Sequence, residues 1–174
     1  MAIVHNFDGD EPNVSDKNIL LAMKPDYYVP RFNRGYGTGV IQDIFEDRLS
    51  YFKPEYDIFV YFTDDTYPLH KDFLGFVLNA MKKNNVGMVS PLIFPSGVRS
   101  TAFAVKKECT RNLVFTGDPV VTILQGMKME TQLSVQIVKN MGFRIAQLSQ
   151  WKDGLVCDAD YDGTGRDMLI GKDY

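Results

Sequence analysis

The chain has 174 residues, 45% of them hydrophobic and 24% charged, with a formal net charge of -3. It is long enough to bury a real core. Its acidic balance and the lack of any Lys/Arg-rich run exclude a nucleic-acid binder that works by neutralising phosphates. Cys109 and Cys157 form no CxxC and join no histidine cluster, so neither a disulfide framework nor a structural zinc site is expected. The composition fits a reducing, cytoplasmic setting. No apolar run reaches the ~20 residues of a transmembrane segment and no signal-peptide pattern opens the chain. Peripheral membrane contact stays open.

In chain order, residues 2–5 form a short apolar strand that runs into an Asp/Gly/Asn/Pro-rich loop over 6–13. Ser15 reads as the N-cap of a short helix over 16–23, stopped before Pro25. Residues 26–32 are β-prone around Tyr27, Tyr28 and Val29. Residues 33–39, Asn-Arg-Gly-Tyr-Gly-Thr-Gly, form a glycine-rich loop. It feeds a helix over 40–52, where Val40, Ile41, Ile44, Phe45, Leu49 and Phe52 recur at helical spacing.

Residues 57–62 (DIFVYF) give the clearest strand, a continuous apolar run of the kind buried in a parallel sheet. It stops at Thr63-Asp64-Asp65-Thr66, and Pro68 opens the next helix. Residues 86–90 and 101–105 read as strands around a loop or hairpin at 91–100. Helices follow at 106–113 and 125–141, the second ended by Gly142. A strand at 143–148 leads to an irregular acidic tail. Strands alternating with helices imply an α/β domain with a mainly parallel central sheet flanked by helices.

Three segments and one glutamate offer chemistry. Ligands of open α/β sheets bind beyond the carboxyl ends of strands, where Asp64 and Asp65 fall. Two adjacent carboxylates there suit a hard divalent cation, although either could simply cap the helix near Pro68. The glycine-rich loop could bring backbone N–H groups to an anion, or serve only as a tight turn. It has neither the GK[ST] ending of a P-loop nor the GxGxxG of a dinucleotide site. Asp158, Asp160, Asp162 and Gly163 match the first half of a calcium loop, but Leu169 stands where the closing Glu belongs. Glu130, near the start of its helix, is a candidate general base or an ordinary first-turn acid. His5 and His70 have no partner histidine at ligand spacing.

Five stretches, IVHNFDGD at 3–10, NRGYG at 33–37, FTDDTYP at 62–68, FAVKK at 103–107 and METQLS through GFRI at 129–145, carry a family likeness. In that order they resemble the VVDNGSTDGS, N-x-G-x-G, LDxDxxP, FAVRR and EDxELSxRxxxxGYRI segments of GT-A fold glycosyltransferases, especially the family 2 inverting enzymes. The likeness covers residues 1–148 by spacing and order. Thr63 stands in place of the first Asp of Asp-x-Asp. Met129-Glu130 stands for the Glu-Asp pair, and the family's first strand has no counterpart.

The resemblance implies one glycosyltransferase-like domain with a GT-A sandwich: a nucleotide-sugar half over 1–90, an acceptor half over 91–148 and the tail over 149–174. It implies inverting transfer of a sugar from a nucleotide diphosphate sugar to an acceptor hydroxyl on a glycan or lipid-linked acceptor, as in polysaccharide or glycan biosynthesis. Glu130 would be the catalytic base and Asp65 would hold Mn2+ or Mg2+. Asn6, Asp8, Asn33, Arg34, Gly35 and Asp64 would contact the donor nucleotide, Asp64 at its ribose. A sugar nucleotidyltransferase, a non-catalytic glycosyltransferase-like module and a calcium-binding structural domain are the competing readings.

Overall fold

The computed structural model describes residues 1–34, 36–49, 55–64, 66, 71–91, 93–94, 97–98, 101–113, 123–151 and 154–160. It is a mixed α/β protein in two compact units, Met1–Pro54 with Gly117–Gly126, and Glu55–Thr116 with Met127–Tyr174. Among the described residues no helix is long and apolar enough to cross a membrane.

In the first unit, β1 (Ala2–Phe7) pairs in parallel with β2 (Tyr27–Phe32) through α1 (Val14–Ala22), a βαβ crossover. Asn13, not Ser15, caps α1. Its Oδ1 accepts the backbone N–H groups of Ser15 (2.8 Å) and Asp16 (3.4 Å). Val4 and Val29 face Ile44 and Leu49 in a small core. Helix α2 (Tyr36–Phe45) starts earlier than its apolar spacing suggests, so Gly37 and Gly39 are helical rather than part of a loop. Leu49 follows the helix, and the expected continuation through Phe52 lies outside the described residues.

In the second unit, β3 (Ile58–Phe62), β4 (Val86–Ser90), β7 (Ala102–Lys106), β8 (Arg144–Trp151) and β9 (Gly154–Asp160) form one sheet in the order β3-β7-β4-β8-β9. The sheet is mixed, where the strand–helix alternation implies a mainly parallel one. Strand β7 inserts antiparallel between β3 and β4, and β9 returns antiparallel along β8. Because β3 and β4 both oppose β7, and β8 runs with β4, these three strands share one direction. Every residue of β4 is buried, and it is the centre of the sheet.

Helix α3 (Phe73–Met81) lays Val77, Ala80 and Met81 on Val86, Val89, Ala104, Ala146 and Leu148, with Ile58 and Val60 at the margin. A short hairpin, β5 (Ile93–Phe94) with β6 (Gly97–Val98), precedes β7, and α4 (Lys107–Arg111) follows it. Helix α5 (Ile123–Val135) continues as a π-helical stretch, Gln136–Asn140. Gly142, at φ 73°, then turns the chain into β8. The tail expected to be irregular holds β9, so Asp158 and Asp160 belong to an extended strand and not to a curled calcium loop. Asp162, Gly163 and Leu169 lie outside the described residues.

Candidate functional site

At the carboxyl end of β3 the chain turns sharply. Thr66 N–H donates to the Thr63 carbonyl (3.0 Å), closing a four-residue turn. Thr63 N–H donates to the Thr101 carbonyl (2.9 Å). The Thr63 hydroxyl lies 3.2 Å from that same carbonyl and 3.0 Å from Thr66 Oγ1, so it can donate to the first and accept from the second. Thr63 therefore fastens the end of β3 to the start of β7, and Asp64 projects from the turn into solvent. Asp65, the expected metal ligand, lies outside the described residues, as do Pro68 and His70.

Glu130 is half-buried and sits well past the first turn of α5, not near its start, so helix-dipole placement does not account for it. One turn on, Ser134 is fully buried. Its Oγ accepts the backbone N–H of Val98 (2.9 Å) and donates to the Glu130 carbonyl (3.2 Å). A Cβ on Gly97 would stand 2.5 Å from Ser134 Oγ and 3.4 Å from the Glu130 carbonyl. The β5–β6 hairpin is thus clasped to α5 at the turn that carries Glu130.

In the first unit, Arg31 is buried at the end of β2, and its whole fork is engaged. Nε donates to Asp43 Oδ2 (2.7 Å), Nη1 to Asn6 Oδ1 (3.0 Å) and Nη2 to the Arg34 carbonyl (2.7 Å). This joins β1, β2, the turn after β2 and α2. Gly39 permits it, because a Cβ there would stand 1.9 Å from the Arg34 carbonyl oxygen and 2.9 Å from Arg31 Nη2. The Gly-rich segment is therefore a packing device at Gly39, and Gly35 lies outside the described residues.

Asn6, expected to touch a nucleotide, has its carboxamide oxygen committed to Arg31. Asp8 is exposed just past β1. The Arg34 guanidinium lies 6.0 Å from the ring centroid of Phe32. Asn33 differs from these. Its backbone N–H donates to the Phe7 carbonyl (2.8 Å), and its Oδ1 is a buried acceptor without a donor among the described residues. His5 Nδ1 pairs with the Tyr28 hydroxyl (2.7 Å), and burial raises the Tyr28 pKa.

No protein-family model matches the chain, and no curated protein or solved structure is similar to it.

Among the described residues no three His, Cys, Asp or Glu side chains converge as a metal cage. What the second unit does offer is one exposed carboxylate at a strand end. That carboxylate is a hard oxygen donor. Sequence reasoning overlooked Arg31, Ser134 and the role of Thr63. A charged residue inside the otherwise apolar YYVPRF strand was the signal for the first.

Proposed function

We propose that the chain is a metal-dependent inverting glycosyltransferase of the GT-A type, moving a sugar from a nucleotide diphosphate sugar to an acceptor hydroxyl. The observation that carries this reading is Asp64. It leaves the carboxyl end of β3, on a turn held by Thr63, Thr66 and Thr101, and three strands of that sheet point their carboxyl ends the same way. Asp65, next in the chain, would hold Mn2+ or Mg2+ while Asp64 contacts the donor at its ribose, since one or two carboxylates plus a diphosphate is the donor set such ions take. Bound there, the ion supplies charge neutralisation for the departing diphosphate. Glu130 accepts the proton of the attacking acceptor hydroxyl, held in place by the Ser134 clasp on its helix turn. The resemblance assigns donor contacts to Asp8, Asn33, Arg34, Gly35 and Asp64, and the Asn33 Oδ1 is a buried acceptor without a donor among the described residues. A glycan or lipid-linked acceptor is the partner on the other side of the reaction.

One observation favours a second reading, a non-catalytic glycosyltransferase-like binding module: the Asn6 carboxamide is taken by Arg31. A thermal-shift screen separates the two in two stages. UDP, GDP and their sugars are added with and without Mn2+, and a ligand at 100 times its Kd adds about 2.7 kcal/mol. Stabilisation by a nucleotide only in the presence of Mn2+ supports metal-dependent donor binding. No shift from any nucleotide rejects it. Donor turnover that falls ~10²–10⁴-fold in Glu130→Gln, with nucleotide binding retained, supports the enzyme. Binding without turnover in the parent chain leaves the module.

A further inference from the structure

We propose that the second unit docks on an anionic phospholipid bilayer, through the outer stripe of α3 and a cationic pole at the amino ends of β3, β4 and β8. Strand register assembles the pole. Val86 pairs with Arg144 and Ile58 with Lys106, so the starts of these three strands and the end of β7 share one end of the sheet. The Asp64 turn leaves the other end. Lys82 and Lys83 follow α3 directly and lead into β4, and Lys139 stands just ahead of the Gly142 turn into β8.

Contacts make these cations one patch. The Arg144 guanidinium donates to the Asn84 carbonyl (3.4 Å), next to Lys83, and its backbone N–H donates to the Asn85 carbonyl (2.7 Å). Lys106 Nζ stands 5.9 Å from the ring centroid of Phe143, the neighbour of Arg144. Lys82, Lys83, Lys139 and Arg144 are exposed. Glu55, Asp57 and Glu108 are the carboxylates near this end, and among the described residues none forms an ion pair with these lysines. Positive charge is thus gathered at one pole of a chain whose net charge is -3. The partial negative charge of a helix C-terminus accounts for Lys82 and Lys83, but not for Lys106, Lys139 or Arg144.

An apolar stripe running into the pole selects a bilayer over other polyanions. Leu74 and Leu78 are 58% and 46% exposed, and with Lys82 they stand at i, i+4 and i+8, one line along the outside of α3. The other face of the helix, Val77, Ala80 and Met81, is spent on the sheet. Leucines that end in lysines fit the headgroup boundary. Apolar side chains sink toward the acyl chains there, while ammonium groups stay among the phosphates. A nucleic acid would use the charges and leave the leucines idle. Docking of this kind does not depend on the sugar-transfer reading.

Vesicle flotation of the full chain tests this. It should bind vesicles of phosphatidylcholine with about 30% phosphatidylserine, not phosphatidylcholine alone, and binding should weaken about tenfold or more between about 0.1 M and about 0.5 M salt. Each basic residue at such a surface is worth about fivefold in partition, so Lys82→Gln with Lys83→Gln should lower binding about tenfold or more. Leu74→Gln with Leu78→Gln should lower it about tenfold and keep the salt dependence. Lys17→Gln with Lys128→Gln removes the same charge from exposed positions elsewhere and should leave binding nearly unchanged. All three pairs alter exposed side chains only, and circular dichroism checks that each variant is folded. A parent chain that ignores anionic vesicles overturns the proposal. So does an equal loss from the Lys17 and Lys128 pair. Vesicle binding indifferent to both leucines, and matched by binding to poly(U) RNA, overturns it too, since that is the pattern of a nucleic-acid site.

Discussion

Replacing Arg31 by Met should weaken the first unit by about 3–5 kcal/mol, the usual cost of removing one partner of a buried ion pair. The structure supports the upper part of that range. Arg31 is 7% exposed, and its loss strands three acceptors at once: Asp43 Oδ2, Asn6 Oδ1 and the Arg34 carbonyl. Asp43, 18% exposed, keeps among the described residues the Arg48 guanidinium at 4.0 Å. Hydrogen bonds to charged groups are each worth about 1.5–3 kcal/mol, and orphaned buried acceptors cost on the same scale, so the contributions overlap and are not summed. Urea unfolding gives the total, and amide exchange at Val4 and Val29 locates it in the β1–β2 pair. A double-mutant cycle with Asp43→Asn isolates the pair, and the two changes should fail to add by more than 1 kcal/mol or so. Arg31→Lys should recover part of the loss, since an ammonium meets Asp43 but cannot span three acceptors. A loss under about 1 kcal/mol in Arg31→Met, or strict additivity with Asp43→Asn, would refute the reasoning.

Gly39→Ala should destabilise by about 1–3 kcal/mol, because the new methyl stands 1.9 Å from the Arg34 carbonyl oxygen. Helix propensity alone predicts a gain of about 1 kcal/mol, so the sign measured in urea melts decides between them. Ser134→Ala leaves the buried Val98 N–H without its acceptor and should cost about 1–3 kcal/mol, with faster exchange of that amide as the local readout. Burial, with some help from the Glu108 charge, pushes the Cys109 thiol up to about 12 from an ordinary value of 9.0. The neutral thiol favours the folded state, so its contribution is whole below pH 9 and falls as pH rises toward 12. The stability of the parent chain relative to Cys109→Ala should therefore drop by about 2 kcal/mol between about pH 8 and about pH 10.5. In a Cys157→Ser background, iodoacetamide should reach Cys109 only on unfolding, and rapid labelling of that native variant would contradict its burial.

Much of the fold is legible in local pattern, because the relevant forces are local. The apolar run before Asp64 becomes β3, and the run at 86–90 becomes the buried central strand β4. The cap of α1 misleads because Asn13 and Ser15 are both capping types, and only the accepted hydrogen bonds separate them. Helix α2 begins inside the glycines because Gly39 lets Arg31 and the Arg34 carbonyl press against it, a tertiary contact without a sequence period. β9 escapes notice for the same reason. Its Asp-rich sequence argues against a strand in isolation, and pairing with β8 along most of its length overrides that. Of the site, Asp64 is legible as the residue past an apolar strand. Asn6 is not, because its engagement depends on Arg31, 25 residues away.

In the proposed reading, Thr63 bears on how a cation would be held beside Asp64. A carboxylate at that position could accept from Thr66 Oγ1 but, ionised, could not donate to the Thr101 carbonyl, so the β3–β7 fastening would lose one of its bonds. The hydroxyl keeps the turn closed without adding charge, and it leaves the carboxylates beyond it to act on their own. A site with so few carboxylates does not match the cages that retain a divalent ion by protein ligands alone. In the proposed reading the rest of the negative charge arrives with the diphosphate. It follows that Mn2+ alone should shift the melting temperature little, nucleotide alone should do the same, and the two together should exceed the sum of their separate effects. This reciprocity is what a shared ion between Asp65 and a diphosphate requires, and simple additivity of the two shifts would remove the ion from between them.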